Sequence, residues 1–446
     1  MDRKIKKENR FYFKVLFQAT NPNTFRATLI GYLYEIAQKY KVILLTEEID
    51  FYTKKIIQDK KLFPGLEKII FFEPPFYGDI LRKNYRLCRK SKKVVRDYKP
   101  DIVVTPEDIW PMSLYLLRFA KKEGIATLAL QDGFRIAESK KLCLWSCLTN
   151  SYLRTPGFLP FSLRMFFVKM KKYLGHLLYY WILPLTSGQL PFLGKTSFAF
   201  WDISPGLRDA DWSAVFSARD YDLSLKDGVS PEKLFILGHP LERALTRSFF
   251  EKAYFSGGDP KEGKNIATIM WPGENLEFYR QDYSLIPEKQ VLASRLKAVR
   301  LITEKLTGWK VFIKPHPSLG DVAGIKNLLA EVPGDISVVE PTEPADKYIA
   351  MSKVIVGFPL PSTTLFTASL QHHGKIILSL NLNQAFLGDA YEKFNGVDYF
   401  DRESDFAQTL ELIRESKYNK ESRVRSNFKL SGINELLEHI YAKRLH

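Results

Sequence analysis

At 446 residues the chain is longer than a single hydrophobic core usually supports, so two domains are expected. Its 45% hydrophobic and 26% charged residues exclude a disordered or low-complexity chain. A formal net charge of +16 calls for an anionic partner, whether nucleic acid, acidic lipid or a phosphorylated substrate, and charge alone does not choose among them. Three cysteines, Cys88, Cys143 and Cys147, are too few for a disulfide scaffold and favour a reducing compartment. Cys143 and Cys147 have no second pair at zinc-like spacing, so no metal is expected.

The basic N-terminus has no apolar stretch of secretory length, which reads against a signal peptide. From Phe11 onward, short β-branched runs alternate with amphipathic stretches. "YFKVLFQAT" predicts a strand, "RATLIGYLYEIAQKY" a helix, and "KVILLT" and "KIIFFE" further strands. A long basic stretch, Asp79 to Tyr98, precedes "DIVVTP", a helix around Ser113 to Lys122, and "ATLALQDG". Continuously apolar strands separated by helices predict a parallel sheet covered on both faces.

Between about 140 and 195 lies an insert whose basic "RMFFVKMKKY" leads into the apolar tract Tyr173 to Gly194. Interior Pro184, Gly188 and Pro191 make that tract a poor membrane-spanning helix. It reads either as a segment lying in the interface of an anionic membrane or as a buried insert with a basic flank. Next come "SFAFWDISPG", a helix-like "LRDADWSAVFSAR" and the strand "EKLFILGHP". The Asp209–Asp211 pair has Asp-x-Asp spacing, but i and i+2 diverge on a helix, which discounts a metal site.

The polar, glycine-rich Tyr254 to Asn265 reads as a linker, after which the alternation restarts. "IATIMWPG", a helix through Glu288 to Leu306, "WKVFIKPHP", a helix around Ile325, "ISVVEP", "KVIVGFP", a helix from Ser362 and "KIILSLNL" follow in order. The expected organisation is an N-terminal domain over 1–253, a C-terminal domain over 254–415, both α/β and doubly wound, and a helical tail over 416–446. Their carboxyl strand ends are expected to face one cleft, which is where function should sit.

Three strand ends carry chemistry. In "KPHP", Pro315 and Pro317 restrain His316, a ring that titrates near neutrality, and Lys314 adds a positive charge. In "PLPSTT", Ser362 and Thr363 precede an apolar-periodic run, where hydroxyls and free first-turn amides bind phosphate. In "ALQDGF", Asp132 ends an apolar run and is placed to deprotonate a hydroxyl, with Glu107 as a reserve base. The bland readings are a turn histidine, an ordinary helix cap and an Asp-Gly turn. No Walker or Gly-x-Gly-x-x-Gly loop occurs, so a nucleotide phosphate would have to sit on helix N-termini.

In their order, "QDG", "KPHP" and "PSTT" resemble the motifs of two-domain GT-B glycosyltransferases. The likeness is nearest to bacterial sialyltransferases, polysialyltransferases and capsule-assembly enzymes, and to CDP-glycerol glycerophosphotransferases. "KLFILGHPLERAL" is similar to the Gly-Asn-Pro strand end of that superfamily, with His239 in place of Asn. One departure is Thr367, where many relatives carry Glu.

The resemblance implies an inverting, metal-independent transfer with no cofactor beyond the nucleotide-sugar donor. Asp132 would be the base, His316 the acid or hydrogen-bond donor, and Lys314, Ser362 and Thr363 the holders of the donor phosphate. A CMP-linked acidic sugar, such as sialic acid, another nonulosonate or Kdo, is the favoured donor. The acceptor would be a surface glycan or lipid-linked glycan, met by a protein peripheral to the inner membrane face. An alternative is a sugar-nucleotide epimerase of the UDP-N-acetylglucosamine 2-epimerase type, which shares the architecture. A noncatalytic protein and a nucleic-acid binder are the remaining readings, and the sequence holds no recognisable nucleic-acid module.

Overall fold

A computed structural model describes residues 13–19, 25–49, 51–72, 80–106, 111–131, 210–226, 228–240, 249, 265–272, 288–316, 322–343, 345–358, 375–382, 397–418 and 432–445. The chain forms two compact units, which divide at Ala253 and Tyr254. Both are α/β units built on wholly parallel sheets.

The first sheet has seven strands: β1 (Lys14–Ala19), β2 (Lys41–Thr46), β3 (Leu66–Phe71), β4 (Ile102–Thr105), β5 (Ala126–Leu130), β6 (Trp212–Val215) and β7 (Leu234–Ile236). Their spatial order is β3-β2-β1-β4-β5-β6-β7, so the chain reverses direction across the sheet between β1 and β4. Leu16 pairs with Ile43 on one side and Val103 on the other, and none of these side chains reaches solvent. This explains the unbroken apolar runs: a strand covered on both faces has no solvated side to encode.

Helices α1 (Ile30–Ala37), α2 (Phe51–Gln58), α3 (Ile80–Tyr98), α4 (Pro111–Lys122) and α5 (Ala218–Lys226) belong to this unit. The helix α3 packs against α4 through Leu87, Cys88, Val94 and Val95, joining Met112, Tyr115 and Phe119 in one core. Gly124, at φ +67°, ends α4, with its own amide bonded to Lys121 O and the Ile125 amide to Ala120 O. A side chain there would strain the left-handed backbone that this C-cap needs.

Two local expectations are corrected. The segment around Trp212 was expected to be helical, yet Trp212–Val215 is strand β6, held between β5 and β7. Asp211 therefore opens a strand and accepts hydrogen bonds from the Thr127 amide at 3.1 Å and the Thr127 hydroxyl at 2.7 Å. Its carboxylate ties β6 to β5. The eight-residue helix α2 is absent from the sequence reading, because its Phe51, Tyr52, Ile56 and Ile57 span too few turns to establish a helical period.

The second sheet has six strands: β8 (Ile266–Trp271), β9 (Lys310–Pro315), β10 (Asp335–Val338), β11 (Val354–Gly357), β12 (Ile376–Leu380) and β13 (Asp398–Phe400). The order β10-β9-β8-β11-β12-β13 places the reversal between β8 and β11. Helices α6 (Glu288–Lys305), α7 (Val322–Leu329), α8 (Ala345–Met351) and α9 (Glu403–Arg414) accompany it, and Ala298, Val299 and Ile302 of α6 share a core with Phe406 and Leu410 of α9.

The last helix, α10 (Ile433–Leu445), belongs to the first unit. Its Ile433, Leu436, Leu437 and Ile440 are buried, Asn434 Nδ2 donates to Glu35 O at 3.1 Å, and Tyr441 stacks on Phe13 at 4.9 Å. Among the described residues no helix is long and apolar enough to cross a membrane. The insert tract 173–194, together with Cys143 and Cys147, lies outside the described residues.

Candidate functional site

In doubly wound sheets, ligands bind beyond the carboxyl ends of the strands where the strand order reverses. In the second unit that point is bounded by Trp271 at the end of β8, Phe358 just after β11, and His316 just after β9. The register explains the alignment: Trp271 pairs with Pro315, and the His316 amide donates to Trp271 O at 2.9 Å. His316 is therefore anchored by its backbone, while its half-buried ring stands at the strand end. Burial and the neighbouring Lys314 charge both push its pKa below the usual histidine value. At neutral pH the ring is uncharged, able to donate from one nitrogen and accept at the other.

Lys314, only 3% exposed, sits one residue inside the strand end. Its ammonium donates to Pro315 O at 2.7 Å and to Pro341 O at 2.9 Å. Burial lowers its pKa to about 8, partly opposed by Glu343. This lysine braces the turn after β9 against the segment after β10, and by its charge it depresses His316.

Arg295 was not anticipated. Carried on α6 and almost fully buried, its guanidinium lies 5.6 Å from the ring centre of Trp271 and 5.5 Å from that of Phe358. The two rings meet edge to face at 6.1 Å. Next to it, the Ser294 hydroxyl donates to Leu382 O at 2.7 Å, tying α6 to the end of β12. A positive, planar group beside two aromatic rings at the reversal point can bind an anionic group or stack on a flat one. The sequence signal was an arginine on the apolar stripe that continues through Ala298, Val299 and Ile302.

In the first unit the reversal point lies at the ends of β1 and β4. Gln18, the penultimate residue of β1, is completely buried, with neither its amide oxygen nor its nitrogen hydrogen-bonded. Gln131, after β5, accepts from the Phe216 amide at 3.0 Å. His239, which follows β7, is fully buried and lies 5.0 Å from the Phe216 ring, and burial lowers its pKa to about 3. It is a neutral core histidine, with its Nε2 3.5 Å from the Thr28 hydroxyl.

Of the residues singled out from sequence, Lys314 and His316 are thus adjacent in the second unit. Asp132 and Glu107 follow β5 and β4, and Ser362 and Thr363 follow β11, but all four lie outside the described residues. Among the described residues no group of three or more His, Cys, Asp or Glu stands together as a metal site.

No family model matches the chain, and no curated protein matches it. Solved structures do. The UDP-GlcNAc 2-epimerase of Methanocaldococcus jannaschii superposes with a TM-score of 0.55 at 13% identity, over 96% of this chain and 99% of that one. The UDP-GlcNAc 2-epimerase of Neisseria meningitidis, solved with UDP-GlcNAc bound, gives 0.54 at 14% identity, over 96% and 100%. The UDP-N-acetylglucosamine 2-epimerase of Rickettsia bellii gives 0.51 at 12%, over 97% and 95%. The fold is GT-B. The expected fold class, two Rossmann-like α/β domains, is therefore correct, with sheets of seven and six strands. Arg295 stands at the reversal point of the second domain, and His316 at the neighbouring strand end, bonded to Trp271 O.

Proposed function

We propose that the chain is an enzyme acting on a nucleotide-linked sugar, with chemistry of the UDP-N-acetylglucosamine 2-epimerase type. The observation that carries this reading is the superposition, across both domains, on an epimerase solved with UDP-GlcNAc bound. The site chemistry supports it as well. Epimerisation removes a proton from one face of a carbon and returns one to the other, which needs a positioned acid–base group. His316, neutral at physiological pH, can accept a proton, while Arg295 and its flanking rings offer an anion a charged, stacked surface.

The second reading is glycosyl transfer, favoured by the motif order and by the large positive charge, which suits an anionic acceptor. Here His316 would donate a hydrogen bond to the leaving phosphate, Asp132 would activate the acceptor hydroxyl, and Ser362 and Thr363 would hold the phosphate. Growing negative charge on the leaving group is what preorganised donors stabilise best. The donor could be UDP-linked or CMP-linked, including the sialic acid and Kdo types.

One experiment separates the two. The protein is incubated with UDP-GlcNAc and with a panel of CMP-, GDP- and CDP-linked sugars, and the products are resolved by chromatography and NMR. An isomerised nucleotide sugar with no free nucleotide supports the epimerase reading. Stoichiometric nucleotide release that depends on an acceptor supports transfer. Folded protein that turns over none of the panel with or without glycan acceptors overturns both.

A further inference from the structure

Half of the net charge is concentrated in one segment. Phe51 to Tyr98 holds thirteen Lys and Arg against five Asp and Glu, a surplus of eight in a chain whose total is +16. The helix α3 turns its apolar side, Leu87, Cys88, Val94 and Val95, into the core with α4, so it cannot insert into anything else. Its opposite face carries exposed Arg86, Arg89, Lys92, Lys93 and Arg96 along roughly 15 Å of helix. Helix α2 adds exposed Lys54 and Lys55.

The same surface carries all the exposed large aromatic side chains among the described residues: Phe51 at 84%, Tyr85 at 53% and Phe71 at 37%. They are interleaved with the cations. The Lys54 ammonium lies 5.3 Å from the Phe71 ring, Arg89 lies 5.9 Å from Tyr85, and Lys90 donates to Phe71 O. Between α2, β3 and α3 is a depression of about 610 Å³, lined by Lys54, Phe71, Arg86 and Lys90 together with Glu48.

We infer that this α2–β3–α3 surface docks the protein on an anionic phospholipid membrane, whatever reaction the enzyme performs. The charge fits a bilayer of acidic head groups, where each nearby Lys or Arg adds to the attraction. Phe51, Tyr85 and Phe71 lie where aromatic rings settle at the head-group level, and the depression can seat a head-group phosphate among three cations. Docking is by a folded, charged face with shallow aromatic tips, not by insertion of an apolar helix face.

The test is flotation of the full-length protein with vesicles of phosphatidylcholine alone and with a phosphatidylglycerol fraction, at about 0.1 M salt and at higher salt. The wild type should bind only the anionic vesicles, and less as salt rises. The exposed triple substitution Arg86→Gln, Arg89→Gln, Lys93→Gln should weaken binding on the order of 100-fold, with an unchanged melting temperature. Phe51→Ser with Tyr85→Ser should weaken the salt-resistant part of binding. No preference for anionic vesicles in the wild type overturns the inference, as does undiminished binding by a folded triple variant. A wild type that retains a DNA duplex but not anionic vesicles, and loses the duplex in the triple variant, reassigns the surface to nucleic acid.

Discussion

Lys314 gives a quantitative prediction. In an unfolded chain a lysine keeps its proton to about 10.5, whereas burial beneath the β9 strand end lowers this one to about 8. Between those values the unfolded state binds more protons, so folding stability climbs with pH. Below pH 8 both states carry the charge and the full cost of burying it is present; above 10.5 neither does, and the contribution is complete. At about 1.4 kcal/mol per pH unit the gap corresponds to about 3 kcal/mol, most of it gained by pH 10. The perturbation is Lys314→Met, which keeps the length and cannot titrate. Urea unfolding of both proteins would be followed at pH 7 to 10 by tryptophan fluorescence, since Trp271 and Trp309 lie in the same core, and fitted with a separate transition for each domain. The wild type should gain on the variant by about 2–3 kcal/mol across that range. A difference that stays flat with pH refutes the argument, because the ammonium would then be as well solvated inside as out.

Other outcomes follow from the same contacts. His316→Ala should lower turnover by about 10²–10⁴ and leave the melting temperature nearly unchanged, because the backbone amide makes the anchoring bond to Trp271 O; steady-state kinetics and calorimetry read the two effects. Gln18→Met should stabilise the first domain by about 1–3 kcal/mol, since it removes a buried amide with neither end hydrogen-bonded, and a lower unfolding midpoint would contradict this. Leu437→Ala should cost that domain about 2–5 kcal/mol, measured by chemical denaturation, because the fully buried side chain seats α10.

The comparison of the two strand-end histidines shows where local sequence reasoning stops. His316 and His239 both follow an apolar run and precede a proline, yet one ring is half-buried and the other wholly enclosed beside Phe216. Lys314 and Pro315 before His316, against Leu237 and Gly238 before His239, are the local differences, and neither says which ring will be covered. Arg295 was hidden for a related reason: its partners Trp271 and Phe358 come from β8 and the end of β11, far away in sequence. The short strand β13 was likewise unread. Its three residues are half-buried and it lies at a sheet edge, so it has no apolar run to betray it.

What the sequence determined by itself was the alternation of elements. A strand covered on both faces must be continuously apolar, and a helix lying on a sheet must show an apolar stripe, so both periods are written locally. The placement of His316 at a strand end follows from that alternation, because the apolar run stops at Ile313 and a proline-flanked histidine with a Ser-Leu-Gly-Asp turn follows. Tertiary structure alone decided which domain receives α10, which histidine is sealed, that Lys314 is spent on two carbonyls, and that Arg295 lies against two rings. Each of these depends on contacts between residues distant in the chain, and burial, unlike periodicity, is a property of what packs on top.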